Sequence, residues 1–440
     1  MAWVLYTRRV ATGVLAIMLG GPAATAQSTA GDDLSSSTGV NTAPALTLPQ
    51  AIDATLRRNP RLQSFQFALK AQDSRIDQAR LRPAPTFNTT MENVLGTGQF
   101  SNLGGNETTF ALSQVIELGD KRQHRTTVAG SERDNIWIDE QAAQLDVLAE
   151  VTRRFIHVSA DQAQLELTRG ATVLVQTTVD GVTRRVQAGK SPEVELIRAR
   201  AALTRAQIDQ RHAEHELLAS RTKLAAMWGD TEPRFGPVMA DLYRLPVPIP
   251  FEALAERLRG NPDFLRFASQ ARLRDAEIRL AESRRRPDIE LSAGIRRLQA
   301  SHDQALVLGF TIPLFAARQA APAIVEARAV RSQVDAEQRE AFINARSQVF
   351  DLYQELLHFI DETGILQRDV LPAMEKARKQ TEYAYERGRY SYLELVEGQR
   401  AYLDTQRALV ESAATVQNLQ TEIERLTGEP LQLHSVERNP

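Results

Sequence analysis

The sequence predicts a mainly α-helical chain with a smaller β-sheet portion, in which one structural unit occurs twice. Three observations support this fold class. A helical hydrophobic period of roughly 70 residues runs through each half of the chain. Each half also contains two short segments in which apolar and polar residues alternate, as they do in strands. Landmarks recur at a nearly constant distance: Asn59-Pro60 recurs as Asn261-Pro262 (261 − 59 = 202), and Gly189 recurs as Gly388 (388 − 189 = 199).

Composition limits the functional classes. The chain has 440 residues, of which 25% are charged, a formal net charge of −2 and no Cys. The near-neutral charge gives no reason to expect a nucleic-acid partner. Without Cys, neither a disulfide nor a lipid-bearing Cys can form. No phosphate-binding loop and no nucleophile motif occurs, so we expect neither an enzyme nor a cofactor.

The N-terminus has the pattern of a secretory signal peptide. Arg8-Arg9 precede an apolar stretch from Val10 to Leu19, and small residues end at Ala26, so residues 1–26 are predicted to be removed. The apolar stretch is too short to span a bilayer as a helix, and an uncleaved N-terminal anchor is the alternative. Residues 27–45 are polar and rich in Gly and Ser, which predicts a flexible lead.

The first half begins with a helix that Thr47 is predicted to cap and that carries Pro49 in its first turn. A break is expected at Asn59-Pro60, and Pro83 ends the helical character. Two strands of roughly ten residues follow, because apolar and polar residues alternate around Phe87 and again around Phe110.

From Gly119 the helical period continues to Gly189. At about 1.5 Å per residue, this helix is on the order of 100 Å long. A second helix, shorter by nearly half, is predicted from Pro192 to Trp228. The apolar positions of the long helix have the spacing of a coiled-coil seam; they are Ile138, Leu145, Leu148, Val151, Phe155 and Val158.

The second half repeats these elements. We therefore expect a first repeat at residues 46–229, a linker at 230–249, a second repeat at 250–428 and a C-terminal tail at 429–440. In the second strand pair, Leu291 and Ile295 alternate with polar residues, and Leu306 and Leu308 lie on one side of the partner strand.

A short turn joins the two long helical runs of each half. In both turns a Gly suited to the left-handed position after a helix, Gly189 or Gly388, precedes a Ser that can cap the next helix, Ser191 or Ser391. Each turn is therefore the tip of a long helical hairpin. Two such tips indicate a repeated mechanical part rather than a ligand pocket.

Geometry favours a membrane protein. In each half, two short helices stacked end to end match the long helix in length, so each half is a two-rod unit topped by a strand hairpin. Four strands leave two unpaired edges, which a membrane does not tolerate. Three copies give roughly twelve strands and twelve rods (3 × 4), which close a barrel. The first strand pair by itself favours a soluble hairpin with half its surface buried, and the argument from the whole chain reverses that preference.

Several stretches carry a resemblance to a known family; they are Leu81-Arg82-Pro83-Ala84-Pro85, residues 92–98, residues 112–122, Ala188-Gly189-Lys190-Ser191-Pro192 and Ile312-Pro313-Leu314-Phe315. Together with the duplication and the paired tips, they resemble the outer-membrane factor family, the TolC-like exit ducts of tripartite efflux systems. The resemblance covers roughly residues 46–428. Within the family, the chain is most similar to the heavy-metal branch associated with cobalt, zinc and cadmium resistance.

This resemblance implies a homotrimer with a β-barrel in outer-membrane lipid and an α-helical tunnel across the periplasm. The tips at Gly189, Ser191, Gly388 and Ser391 would contact a periplasmic adaptor, or membrane fusion protein, and through it an inner-membrane pump of the resistance-nodulation-division type. The implied cargo is heavy-metal cations. A multidrug or type I secretion channel of the same fold is the alternative, and a periplasmic coiled-coil adaptor is a remote one. Many family members carry a lipidated N-terminal Cys, which this chain lacks.

The resemblance also implies entrance acids. Glu394 and Glu397 fall where the family tends to place acids that ring the periplasmic entrance, and Glu195 is the acid of the first tip. An acid in the first turn of a helix is also explained by the helix dipole. That alternative accounts for Glu195 and Glu394 better than for Glu397, which lies deeper in its helix.

Other positions bear on how the entrance is closed. Tyr385, with Glu195, falls where the family places polar contacts that hold the entrance shut. Two departures occur: Arg198 is the repeat counterpart of Glu397 (397 − 199 = 198) and could pair with it, and Tyr390 lies where some relatives have a basic locking residue.

Pro372 interrupts the second long helix, and its counterpart in the first half is Val173 (372 − 199 = 173), so we expect a kink in one hairpin only. We expect no metal site. His212 and His215 lie one helical turn apart among Arg211 and acidic residues, which predicts a solvated face, and a metal site there would need further ligands.

Overall fold

The computed structural model describes residues 44–101 and 103–429. The predicted signal peptide, most of the predicted lead and most of the C-terminal tail lie outside these residues.

Within the described chain, the first half contains β1 (Leu46–Thr47), α1 (Leu48–Arg58), α2 (Pro60–Arg80), β2 (Thr86–Glu92), β3 (Glu107–Ile116), α3 (Lys121–Gln187) and α4 (Glu193–Ala225). A linker strand, β4 (Val238–Met239), precedes the second half, which contains α5 (Phe251–Arg257), α6 (Pro262–Ser283), β5 (Ile289–Leu298), β6 (Gln304–Thr311), α7 (Ala316–Ile365), α8 (Leu371–Glu386) and α9 (Tyr392–Thr427). Both halves thus run from short helices through a strand pair to a long helical hairpin.

The break between short helices has the same structure in both halves. Asn59 and Asn261 each accept a hydrogen bond from a backbone N–H in the first turn of the following helix, and a Pro follows each Asn. On the other side, the Asn59 Nδ2 donates to the Met227 carbonyl at 2.8 Å, and the Asn261 Nδ2 donates to the Arg425 carbonyl at 2.8 Å. Each Asn therefore starts one helix and holds it against the end of the returning helix of its own half.

The four-stranded sheet has the order β2-β3-β5-β6, with antiparallel neighbours throughout. Register places Leu112 opposite Phe87 and Ala293, so one face of the sheet is apolar across all strands. Phe87 and Phe310 are exposed, so none of residues 44–101 and 103–429 covers this face. Within the same residues, β2 and β6 are edges without a partner strand.

β2 is shorter than predicted, with seven residues. Asn93 and Leu95 adopt left-handed backbone angles (φ 60° and 55°), which cannot continue a strand, and so the chain leaves the sheet after Glu92. The alternation of Phe87 and Met91 with Asn88 and Glu92 also ends at this point.

The 67-residue helix α3 packs against helices of both halves of the chain. Near the sheet it packs against α2, where the Gln72 Nε2 donates to the Ala129 carbonyl at 3.0 Å, and against α6, where Arg266 pairs with Asp139 at 2.8 Å. Further from the sheet it packs against α4 and against α9, to which Arg153 is joined by a 2.6 Å ion pair with Glu422. Four residues of the predicted seam are buried, namely Ile138, Val151, Phe155 and Val158, whereas Leu145 and Leu148 are only partly buried.

The second long helix is divided. α7 and α8 are joined by a π-helical turn at Leu366–Val370, and Pro372 follows directly. A π turn accommodates an extra residue and loosens the hydrogen-bond ladder where Pro lacks an N–H. In α3 the helix is continuous at the corresponding position. Among residues 44–101 and 103–429, no helix combines the length and apolar composition needed to cross a bilayer.

Candidate functional site at the hairpin tips

The two tips share one backbone motif. Gly189 and Gly388 have left-handed angles (φ +69° and +72°) that end α3 and α8. In each tip the glycine N–H donates to the carbonyl three residues earlier at 2.9 Å. The next N–H donates to the carbonyl five residues earlier, at 2.8 Å in the first tip and 2.9 Å in the second. This pair of bonds satisfies the last carbonyls of each helix and fixes the reversal of the chain.

The helices that leave the tips begin differently. Ser391 caps α9 as predicted: its Oγ accepts from the Glu394 N–H at 3.3 Å, and the Glu394 carboxylate accepts from the Ser391 N–H at 2.6 Å. The matching prediction for Ser191 is wrong. Pro192 is the N-cap residue of α4, and the Ser191 Oγ instead accepts a hydrogen bond from the Arg185 Nε at 3.1 Å.

Arg185 joins the two hairpins. From the last turn of α3, its guanidinium donates to the Tyr385 carbonyl at 2.9 Å and to the Glu386 carbonyl at 3.3 Å, at the C-terminal end of α8. Its Cζ also lies 4.7 Å from the centroid of the Tyr385 ring. A positive charge at a helix C-terminus is stabilised by the unsatisfied carbonyls there. Arg185 therefore holds the second tip against the first.

Tyr385 and Glu195 lie in the small core between the tips. Tyr385 is 5% exposed and packs with Val182, Ala199 and Leu395. Neither the Tyr385 hydroxyl nor Glu195 Oε2, both buried, has a hydrogen-bond partner among the described residues. Burial raises the pKa of Tyr385, and the charge of the Glu195 carboxylate raises it further. The structure thus places the Glu195 carboxylate close to the Tyr385 hydroxyl.

The entrance acids are in different states. Glu394 is committed to the cap of α9, and the backbone N–H of Ser391, followed by its hydroxyl, holds the pKa of Glu394 below its ordinary value. Glu397 is exposed, and no hydrogen bond or ion pair joins it to the part of the chain that the structure describes. Glu397 is therefore the acid that a single chain leaves available.

The remaining predicted contacts are not formed within one chain. Arg198 and Tyr390 are exposed, and neither forms a hydrogen bond or ion pair with the described residues. Arg198 lies close enough to Tyr392 to lower its pKa, although burial of Tyr392 outweighs this and raises it. The pairing of Arg198 with Glu397 is not seen within the chain.

A groove of about 360 Å³ runs between the tips. Thr178, Arg185, Glu382, Tyr385 and Gln399 are among the residues that line it. At its base the Gln399 Nε2 donates to the Thr178 Oγ1 at 2.9 Å, which ties α9 to α3.

Sequence reasoning missed Arg185 and the Thr178–Gln399 contact. Arg185 stands beside Arg184 in the last helical turn, where any basic residue is explained by the helix dipole. Its counterpart in the second half is Ala384 (185 + 199 = 384), so the repeat did not single it out. Only the distance between the hairpins identifies it.

Comparison with known proteins decides the family. The model for outer membrane efflux proteins matches residues 51–230 and 253–429. The chain belongs to the outer membrane efflux protein family. This confirms the resemblance found in the sequence and shows that the protein is an efflux component of the outer membrane rather than an enzyme.

Individual relatives agree. The chain is 27% identical to the cobalt-zinc-cadmium resistance protein CzcC of Cupriavidus metallidurans, over 87% of this chain and 90% of that protein. It is 23% identical to the nickel-cobalt-cadmium resistance protein NccC of Alcaligenes xylosoxydans xylosoxydans, over 56% of each. A crystal structure of CusC superposes with a TM-score of 0.72 at 17% identity, covering 90% of this chain and 95% of that one. The fold is therefore that of the TolC-like channels.

Proposed function

We propose that the protein is the exit duct of a tripartite efflux system and that three copies form it. The observation that carries this proposal is the pair of sheet edges, β2 and β6, that have no partner strand in the described chain, on a sheet with one mainly apolar face. Since an open apolar sheet is unstable both in water and in lipid, the edges need partners. Three copies pair β6 of one chain with β2 of the next and close a barrel of roughly twelve strands (3 × 4).

The helices support the same assembly. The helices pack side by side in the order α4, α3, α9, α7, which we call the helical layer, so α4 and α7 lie on opposite sides of it. Both keep apolar residues exposed: Ile197 and Ile208 on α4, Ile343 and Phe350 on α7. In a closed ring, α7 and α8 of one copy lie against α4 of the next. The helical layer then forms the tunnel that continues the barrel.

The proposed cargo is a heavy-metal cation. CzcC and NccC are named for resistance to such cations, and CzcC is similar over nearly the whole chain. Three copies of the unpaired Glu397, with Glu394 and Glu195 nearby, would place acids around the entrance and attract cations. Gly189, Ser191, Gly388 and Ser391 form the surface offered to a periplasmic adaptor, which connects the duct to an inner-membrane pump.

The duct and its entrance are tested by single-channel conductance of the purified trimer in a planar bilayer, with wild type beside Glu397→Gln. We expect a cation-selective conductance that loses its selectivity in the variant, because the ring of acids attracts cations. Glu411→Gln, an exposed Glu of the same helix about 21 Å further up, should leave selectivity unchanged.

Two results would contradict parts of this proposal. Unchanged selectivity in a conducting Glu397→Gln channel would mean that Arg198 already neutralises the ring. A wild-type channel that passes organic solutes with no preference for cations would favour the multidrug or secretion channel over a metal duct.

A further inference from the structure

One helix contact within the chain serves as a template for a helix contact between neighbouring copies. α3 of the first half packs against α9 of the second, and we call this contact the internal seam. Because the two halves repeat, the trimer proposed above contains an equivalent contact, in which α7 of one copy packs against α4 of the next. We call this the intercopy seam, and the inference that follows rests on the proposed trimer.

Buried residues fix the correspondence between the helices. Three fully or largely buried positions of α3 match three of α7 at a constant distance of 198; they are Val151 with Val349, Val158 with Leu356, and Leu165 with Thr363. α4 matches α9 at a distance of 199, and the pairs are Ala213 with Ser412 and Leu224 with Ile423. The sequence distance between corresponding positions of α3 and the second long helix is thus 199 at the tips and 198 further from them. This change coincides with the π turn at Leu366–Val370, which takes up one extra residue.

Midway along the internal seam lies a small apolar cluster. Ile156, Ala160 and Ala163 of α3 pack there with Ala413 and Ala414 of α9, and Leu242 of the linker belongs to the same cluster. Four of these six residues are alanines, so the contact is apolar and its side chains are mostly small.

The same positions of the intercopy seam are polar. Ile156, Ala160 and Ala163 correspond to Gln354, His358 and Asp361 of α7 (156 + 198, 160 + 198, 163 + 198). Ala413 and Ala414 correspond to Glu214 and His215 of α4 (413 − 199, 414 − 199). A cluster of two imidazoles and two carboxylates thus takes the place of an alanine contact.

These side chains lie on the surface of a single chain, where Glu214 accepts one hydrogen bond, from Gln210 at 3.1 Å. His358, Asp361, Glu214 and His215 are all exposed, and the His358 side chain is 71% exposed. Within one chain, no group of three or more potential ligands comes together among the described residues, because α4 and α7 lie on opposite sides of the helical layer. The further ligands that His215 lacks in its own chain come from the next copy.

Carboxylates are costly to desolvate in a helix contact unless a cation accompanies them. Arg211, one turn before His215, is the cation on this face of α4, and it balances one of the two carboxylates. Two neutral imidazoles and two carboxylates are a donor set that suits a four-coordinate Zn²⁺ or a similar borderline divalent cation. Glu362 is also placed to orient one of the two imidazoles, since His358 Nε2 lies 3.6 Å from it.

We propose that His358 and Asp361 of one copy, together with Glu214 and His215 of the next, bind a divalent transition-metal cation such as Zn²⁺ in each intercopy seam. This replaces the solvated face expected from the sequence of α4. The bound cation links neighbouring copies midway along the tunnel, far from the Glu397 entrance.

The geometry is tested first, by crosslinking. The chain has no Cys, so Asp361→Cys combined with His215→Cys introduces the only thiols. Oxidation should convert the protein into a covalent trimer on a non-reducing gel. Glu340→Cys combined with His215→Cys is the matched control, because Glu340 lies on α7 about 32 Å from Asp361 and should not crosslink.

Metal binding is tested next, by calorimetric titration of untagged, full-length trimer with ZnCl₂. We expect about one Zn²⁺ per chain, since each intercopy seam is equivalent. His215→Ala and Asp361→Ala should each weaken binding by at least about tenfold, the cost of losing even an outer partner of a metal site. His157→Ala is the control: His157 pairs with Asp161 at 3.6 Å with the same four-residue spacing, but on α3.

The possible outcomes distinguish failure of the proposed metal site from failure of the proposed duct. A protein that is not trimeric in solution overturns the proposed function and this site with it. A trimer without the crosslink overturns the register, and therefore the site, while leaving the duct intact. A crosslinked trimer that binds no Zn²⁺, or that loses no affinity in His215→Ala, shows that Arg211 neutralises the cluster and overturns the metal site alone.

Discussion

The two hairpin tips have the same backbone turn and differ in nearly everything around it. The second tip is stabilised locally, since Ser391 and Glu394 form a reciprocal cap at the start of α9. The first tip has no side-chain cap on α4, and its serine is held by Arg185. The second hairpin also carries the π turn and Pro372, whereas α3 is continuous. The first hairpin therefore contains a continuous long helix. The second is locally capped and is joined to the first by Arg185, by the Gln399–Thr178 hydrogen bond and by the apolar contacts around Tyr385.

The largest effect is expected from Arg185→Ala. The change removes charge-assisted hydrogen bonds to two carbonyls of α8 and a contact with the Tyr385 ring, which together stabilise the docking of the tips by roughly 2 kcal/mol. Hydrogen exchange should become faster in the last turn of α8 and remain unchanged in the middle of α3. Arg184→Ala is the matched control, since it removes the same charge from the neighbouring exposed residue. Equal effects of the two variants would show that net charge, and not the contact, joins the tips.

A smaller effect is expected from Ser391→Ala. Loss of an N-cap side chain costs about 1 kcal/mol, so the amides in the first turn of α9 should exchange faster. Ser191→Ala should change exchange at the start of α4 by less than the equivalent of about 0.5 kcal/mol, because Ser191 does not cap that helix. If the two serine substitutions perturb their helices equally, then the tips do not differ in capping and this interpretation is wrong.

The smallest effect on stability, but a distinct effect on function, is expected from Pro372→Ala. The π turn already accommodates the missing N–H of Pro372, so the free energy of unfolding should change by less than about 1 kcal/mol. Our hypothesis is that the irregular turn lets the second hairpin swing outward, and the variant should then show reduced adaptor-dependent export. Pro322→Ala, which replaces the proline inside α7, should export normally. Unchanged export by Pro372→Ala would count against the hinge.

Much of the fold could be predicted because its signals are local. The helix that begins at Thr47 and the αL glycines of the tips depend on a few neighbouring residues, and the strand alternation shows which face is apolar. The length of α3 followed from an unbroken period. The left-handed angles of Asn93 and Leu95 just after β2 were not predicted, because a residue other than Gly adopts such angles only where the surrounding loop requires them.

The candidate site was harder to predict for a physical reason. A side chain such as Ser191 has several possible hydrogen-bond partners. The one to which it bonds depends on which partner lies near it in the folded chain. The N-cap of α4 was available to Ser191 in the sequence, but Arg185 lies within 3.1 Å and the serine bonds to it instead. Likewise, nothing near Gln399 in the sequence indicates Thr178, which is 221 positions away.

The sequence by itself determined the duplicated order of elements, the helical hairpins and their glycine turns, because hydrophobic period and turn chemistry act between residues close in the chain. Tertiary structure alone decided which hairpin holds the other, which acids are already engaged in capping, and which positions of the two halves correspond across the π turn. These depend on distances between helices that are remote in sequence, and such distances follow from packing the whole chain.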